Sequence, residues 1–277
     1  MDNLLLLLKA VILGIVEGIT EFLPVSSTGH MILVGAFLGT DKGAYAQFFK
    51  LFEISIQFGA ILAVVVLYRR RIVDVFRHLG RGQYGLRLTL GIIAALVPTV
   101  IVAKLLYKKI GDLLMIPLPV ALSLVVGGIA LIYCERAFSK NRKIKRMEDV
   151  GVKEGFVIGL FQCISFLWPG FSRSASTIIG GWVIGLSTVA AADFTFFLAI
   201  PTMFGATAYS LLDAKMQLTG IEIAALIVGF VVAFLVALIV VKKFIGFLKH
   251  KPLRVFGYYR IIVGVLMLLC VAVGILH

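Results

Sequence analysis

The chain has 277 residues, of which 61% are hydrophobic and 15% charged, with a mean hydropathy of +1.07. That composition excludes an ordinary soluble domain and puts the chain in a bilayer. A net charge of +13 would point to nucleic acid in a soluble protein. Here the basic residues fall between apolar runs, where topology and anionic lipid account for them, and no nucleic-acid partner is expected.

Residues 1–14 lack a basic first region and an A-x-A-like cleavage site and lead straight into Glu17 and Glu21, so they are expected to stay in the mature protein. The apolar run 4–39 is broken by Pro24 and the hydroxyls Ser26, Ser27 and Thr28. Two half-length helices around an irregular turn are tolerated at membrane depth only when buried in protein or lining a wet cavity, which predicts a re-entrant hairpin. The runs 51–68, 86–106 and 117–134 are each long enough to cross about 30 Å of hydrocarbon as a helix. After a basic linker, 155–186 is broken by Pro169, Gly170, Ser172, Arg173 and Ser174, predicting a second hairpin. Three more spans follow at 190–212, 221–241 and 256–275. The expected fold is an all-α integral membrane protein with six transmembrane helices and two re-entrant helical hairpins. Cys134, Cys163 and Cys270 are far apart in apolar runs without Cys-x-x-Cys or Cys/His spacing and read as free thiols.

The chain repeats itself at an offset of 145 residues: Gly14 matches Gly159, Pro24 Pro169, Ser27 Ser172, Gly35 Gly180 and Phe52 Phe197, while Glu17 meets Gln162. Each half has one hairpin and then three spans, so 1–134 and 154–277 read as two repeats around a linker at 135–153. An odd number of crossings inverts the second half, and the hairpin tips then meet near the midplane. If each hairpin returns to its own side, the segments 69–87, 135–153 and 242–254 share one side and hold 18 Lys/Arg, against six in 41–50, 104–116 and 213–219. The first set is expected to be cytoplasmic, with both termini and the first hairpin on the outer side.

Ionisable groups at membrane depth cost roughly 2.5–3.5 kcal/mol even on lenient scales and are functional candidates by default. Glu17 and Glu21 share a helix face at i, i+4, where like charges in low dielectric need a proton or a cation between them. A hard divalent ion, Mg²⁺ or Ca²⁺, would resolve this, with Glu17 and Glu21 as ligands. A pair facing water, or paired with Arg173, is the alternative. His30 lies one helical turn from Ser27, a spacing that suits base-activated nucleophilic attack; a satisfied core histidine is the alternative. Arg173 is a planar fork matched to phosphate oxygens, flanked by the neutral donors Ser172, Ser174 and Thr177. The helices expected to start near Ser26 or Ser27 and near Ser172 have free N–H groups and positive dipole ends, and facing one another they suit a pyrophosphate. Glu53, Gln57 and Asp193 read as interfacial or early-helix polar groups, and Arg260 as a snorkelling side chain.

The run Glu17-Gly18-Ile19-Thr20-Glu21-Phe22-Leu23-Pro24-Val25-Ser26-Ser27-Thr28-Gly29-His30 and the run Pro169-Gly170-Phe171-Ser172-Arg173-Ser174-Ala175-Ser176-Thr177 resemble the two signature motifs of the BacA-type undecaprenyl pyrophosphate phosphatases. The resemblance covers essentially the whole chain; Ala175 stands where glycine is expected in many members. It implies an enzyme of the bacterial inner membrane that hydrolyses undecaprenyl pyrophosphate to undecaprenyl phosphate and inorganic phosphate. That reaction recycles the lipid carrier of wall synthesis, and overproduction in such families confers bacitracin resistance. Carried over by motif, Glu17 and Glu21 are the metal and acid/base carboxylates, Ser27 and His30 the nucleophile and base, and Arg173 the phosphate clamp. Ser26, Thr28, Ser172, Ser174 and Thr177 would add contacts to phosphate. The expected partners are the polyprenyl pyrophosphate and membrane lipid, with a homodimer allowed. The other class of function that the hairpins suit is a transporter or flippase of a lipid phosphate.

Overall fold

The computed structural model describes residues 3–40, 45–138, 140–213 and 218–276, without the side chains of 107–113 and 209–213. The described helices are, in order, α1 (Asn3–Thr20), α2 (Ser27–Leu38), α3 (Ala46–Arg77), α4 (Tyr84–Leu114), α5 (Pro117–Ala137), α6 (Val152–Leu167), α7 (Arg173–Val183), α8 (Thr188–Asp213), α9 (Gly220–Leu248) and α10 (Arg254–Ala272). A 3-10 turn lies at Met147–Asp149, and one bridge ties Ile144 to Leu186. The cores of the expected outer-side segments, 41–44 and 214–217, and His277 lie outside the described residues.

Seven of these helices are long and apolar enough to cross a membrane. Six are the expected spans. The seventh is α1, whose 18 residues make the first leg of the first broken run long enough to cross by itself; α6, its counterpart, has 16. Both breaks are local chemistry. Pro24 and Pro169 remove a helical N–H and bar the preceding residue from helical angles, and α2 and α7 restart three or four residues later on serine caps.

The halves exchange legs. α1 packs along α9 and α6 along α4, while α5 pairs with α10. Small residues make these approaches close, as the weak hydrophobic drive between helices in lipid requires. A Cβ at Gly155 or Gly159 of α6 would lie 1.9 Å from the Gly91 carbonyl oxygen or 2.3 Å from that of Ala95 on α4. On α1 the Gly14 and Gly18 faces press on the Gly229 and Ala233 carbonyls of α9 in the same way. The largest apolar cluster runs from Phe22 at the first break through Trp182 of α7 and Phe196 of α8 to Phe244 of α9. The two breaks are therefore held at the centre of the packing, not at its edge.

The linker is also pinned. Ile144 pairs its N–H with the Gly185 carbonyl at 2.9 Å and its carbonyl with the Ser187 N–H at 2.8 Å. At the end of α5, buried Glu135 accepts from the N–H groups of Leu253 (2.7 Å) and Arg254 (2.9 Å). A carboxylate thus closes the open N-terminus of α10.

Candidate active site

The two breaks meet tip to tip. Ser26 and Ser172 are the non-glycine residues with positive φ among those described, at 71° and 75°, a strain of order 1–3 kcal/mol each that persists only where surroundings over-determine it. Each is an N-cap: the Ser26 side chain accepts from Gly29 N–H at 3.2 Å and that of Ser172 from Ala175 N–H at 3.3 Å. Cap therefore matches cap, Ser26 with Ser172, where the constant offset had matched Ser27 with Ser172. The second turn has one extra residue after its proline, which shifts the register there.

Between the helix starts lies a cavity of about 190 Å³, lined among others by Glu21, Ser26, Ser27, Thr28, Ser172 and Arg173. Of these, Ser27, Thr28 and Arg173 are partly exposed, while both caps are buried. Glu21 joins the halves. Its Oε2 accepts from Ser27 Oγ at 2.5 Å and its Oε1 from Arg173 Nη2 at 2.7 Å. The Arg173 guanidinium is held 5.8 Å over the Phe22 ring and its Nη2 reaches Met203 Sδ at 3.2 Å. The ion pair weighed as an alternative therefore exists, yet Nη1 of Arg173 is buried without a partner among the described residues. A buried, unpaired guanidinium donor is expensive and marks a place where an acceptor belongs.

His30 lies one turn after Ser27 on α2, as the spacing implied, but its ring is bonded to other groups. Its Nδ1 is 2.7 Å from the Ser26 carbonyl oxygen, so Nδ1 carries the proton, and its Nε2 accepts from the Tyr259 hydroxyl at 2.8 Å. Both ring nitrogens are occupied, and the partner of Ser27 is Glu21. The imidazole holds the strained turn in place. Two other expected phosphate contacts are spent on the scaffold. Ser174 Oγ donates to the Leu23 carbonyl at 2.9 Å, tying α7 to the first turn, and Thr177 Oγ1 bonds the Arg173 carbonyl and Thr195 Oγ1.

Glu17, one turn before Glu21, is buried, and its Oε1 has no hydrogen-bond partner among the described residues. Among the described residues no three His, Cys, Asp or Glu gather as a metal cluster. A divalent cation, where one binds, would have the carboxylates of Glu17 and Glu21 as its protein donors. That set fits Mg²⁺, which is commonly held by one or two carboxylates, with water and substrate phosphate completing its shell.

Several groups read as bland belong to this architecture. Gln57 lines the cavity together with Ser165, Thr202 and Met203. Arg260 does not snorkel: it is 0% exposed and donates to backbone carbonyls of both breaks, Pro24 at 3.4 Å and Phe171 at 2.7 Å. Asp193 is not solvated at an interface but buried, accepting from Tyr68 (2.6 Å) and Arg71 (2.7 Å). Glu53 is exposed. The signal for Arg260 was its spacing. With Gly257 three residues before and Gly264 four after, it shares the face of α10 that meets α5, together with buried Val263 and Met267.

A family model described as bacitracin resistance protein BacA matches residues 10–266. The chain is 49% identical over 267 residues to the undecaprenyl-diphosphatase of Clostridium tetani, covering 96% of this chain and 97% of that one. It is 49% identical to the undecaprenyl-diphosphatase of Thermoanaerobacter sp. strain X514 over the same shares. With that of Clostridium novyi it shares 47% identity over 278 residues, 97% of each chain. Two helix breaks meeting at a cavity with a serine, a carboxylate and an arginine, together with a match along nearly the whole chain, place this protein in the BacA family.

Proposed function

We propose that this protein is an undecaprenyl-diphosphatase, an integral membrane hydrolase that converts undecaprenyl pyrophosphate to undecaprenyl phosphate and inorganic phosphate. The observation that carries the chemistry is the 2.5 Å hydrogen bond from Ser27 to Glu21, facing a buried Arg173 donor without a partner. The identity of the lipid rests on the similarity to the undecaprenyl-diphosphatases named above.

The geometry supports the following steps. Ser27 Oγ attacks the terminal phosphorus as its proton passes to Glu21 Oε2, and the bond from that phosphorus to the bridging oxygen breaks, releasing undecaprenyl phosphate. Glu21 passes that proton to the departing phosphate oxygen and is ionised again; it then takes a proton from a water that attacks the phosphoserine, the bond from phosphorus to Ser27 Oγ breaks, and the proton returns to Oγ as inorganic phosphate leaves. Arg173 Nη1 and the N-terminal N–H groups of α2 and α7 hold phosphate oxygens, so catalysis is positioning and charge stabilisation. A divalent cation held by Glu17 and Glu21 would supply neutralisation of phosphate charge. His30 fixes the first turn through the Ser26 carbonyl.

The excess of basic residues in 69–87, 135–153 and 242–254 supports an inner-membrane topology with those segments cytoplasmic and the cavity opening outward. The matched caps and exchanged legs support an inverted repeat of 1–134 and 154–277, with α1–α2 and α6–α7 as hairpins. Phosphate release from undecaprenyl pyrophosphate by the detergent-purified protein tests the function. Release that needs Mg²⁺ or Ca²⁺, is stopped by EDTA and is lost in Ser27→Ala is expected. Binding of the lipid without release under any cation would favour a carrier instead.

A further inference from the structure

Arg260 is a permanent cation, wholly buried in α10, and the cavity does not use it. Among the described residues it makes no salt bridge. Its Nη1 donates to the Pro24 carbonyl at 3.4 Å, and its Nη2 to those of Ser123 (3.5 Å), Gly170 (3.2 Å) and Phe171 (2.7 Å). Its guanidinium carbon lies 5.7 Å over the Phe171 ring. One planar fork therefore grips the first break, the second break and α5 together. The room for it is made by Gly127, where a Cβ would stand 2.1 Å from Nη2. Pro24 is two residues before the Ser26 cap, and Phe171 is next to the Ser172 cap. A shift of this fork moves both caps, and with them Ser27 and Arg173, the first residues of α2 and α7.

We propose that Arg260 is a positioning residue that sets the spacing of the two broken-helix turns, and so the distance between the attacking serine and the phosphate clamp. Arg260 touches no substrate. It acts through backbone carbonyls, where removing one guanidinium releases both turns at once. Misplacing reacting groups by an ångström costs on the order of 100-fold in rate, whereas each turn keeps its own phosphate donors and only the distance between the turns changes. The expected signature is therefore a fall in kcat with KM nearly unchanged. This rests on the diphosphatase reading.

The test compares wild type, Arg260→Lys, Gly127→Ala, the double variant and Met267→Ala. For each purified protein the thermal midpoint is measured, with kcat and KM for undecaprenyl pyrophosphate at saturating Mg²⁺. Lysine keeps the charge and loses the fork, so kcat should fall at least 30-fold with KM within threefold. In Gly127→Ala the new methyl displaces Nη2, and kcat should fall by a similar factor. The double variant should be no worse than Arg260→Lys, because lysine ends short of Gly127. Met267→Ala, on the same buried face of α10, should lower the midpoint and keep kcat. Wild-type kcat in Arg260→Lys, losses that multiply in the double variant, or an equal fall in Met267→Ala would overturn the proposal. If Arg260→Lys does not fold, Gly127→Ala decides alone: reduced kcat at a normal midpoint supports the proposal, and normal kcat overturns it. A wild type without turnover overturns the diphosphatase reading and the proposal with it, an outcome distinct from all the others.

Discussion

Replacing Glu21 by glutamine separates the two bases that the motif offers to Ser27. The amide is nearly isosteric and keeps an oxygen for Arg173 Nη2, now 2.7 Å away, but it accepts no proton from Ser27. A general base contributes about 10²–10⁴ in rate, about 3–5 kcal/mol at roughly 1.4 kcal/mol per decade. His30→Asn makes the opposite cut. Its side-chain N–H stands near the position of Nδ1 and keeps the donation to the Ser26 carbonyl, while the bond to Tyr259 is lost. One neutral hydrogen bond is worth about 1 kcal/mol, or about fivefold. The assay is single-turnover phosphate release in detergent, repeated over rising Mg²⁺, because Glu21 is also an expected cation ligand. The part of the Glu21→Gln loss that persists at saturating Mg²⁺ belongs to the base. A Glu21→Gln enzyme within tenfold of wild type, beside a His30→Asn enzyme reduced 100-fold or more, would refute the assignment and return the imidazole to the role of base.

Three further outcomes follow from the same contacts. Arg173→Lys keeps the charge but loses the planar fork and its free buried Nη1, so kcat/KM should drop at least 100-fold, about 2.7 kcal/mol, as read from steady-state kinetics. Glu135→Gln removes one of two charge-assisted bonds to the start of α10; a loss of about 2 kcal/mol is expected, measured as a lower unfolding midpoint in detergent. Gly159→Leu would push a side chain into the Ala95 carbonyl on α4, 2.3 Å from its first carbon, and should yield no folded protein by size-exclusion chromatography, whereas Gly205→Ala, at a glycine with open space around it, should purify normally.

Much of this fold was legible because lipid imposes one rule, that apolar runs of sufficient length become helices. The six long runs appear as helices that extend past the apolar core by up to several residues, since basic ends such as Arg69–Arg77 continue the helix into the headgroup region. The breaks were legible for a second reason. Pro24 and Pro169 interrupt helices wherever they stand, and serines after them cap new ones. Partner choice was not legible. Spacing along a helix put His30 within reach of Ser27, but rotation about α2 is set by packing, and Tyr259, 229 residues away, takes the imidazole. Arg260 failed for a related reason. Its distance from the helix end suggested snorkelling, whereas its face, set by Gly257 and Gly264 against α5, turned it inward. Depth is a property of the segment, and direction is a property of the neighbours.

The matched caps, Ser26 and Ser172, bear on why the two proposed repeats would carry unequal chemistry. Once Ser26 is set beside Ser172, the residues that follow them are Ser27 and Arg173, each the first residue of its helix. In the proposed mechanism one half presents the nucleophile and the other the clamp at equivalent positions, and the cavity between them needs one of each. Two serines would leave the phosphate oxygens without a permanent cation, and two arginines would leave nothing to attack. The same logic covers Glu17 and Gln162. Gln162 is fully buried and donates to Thr99 Oγ1 at 2.7 Å, so it keeps a polar bond without a charge. A glutamate there would put an ionisable group at a fully buried position whose bonded partner is the neutral hydroxyl of Thr99. A buried charge without a charged partner is costly at this depth, and the amide avoids that cost.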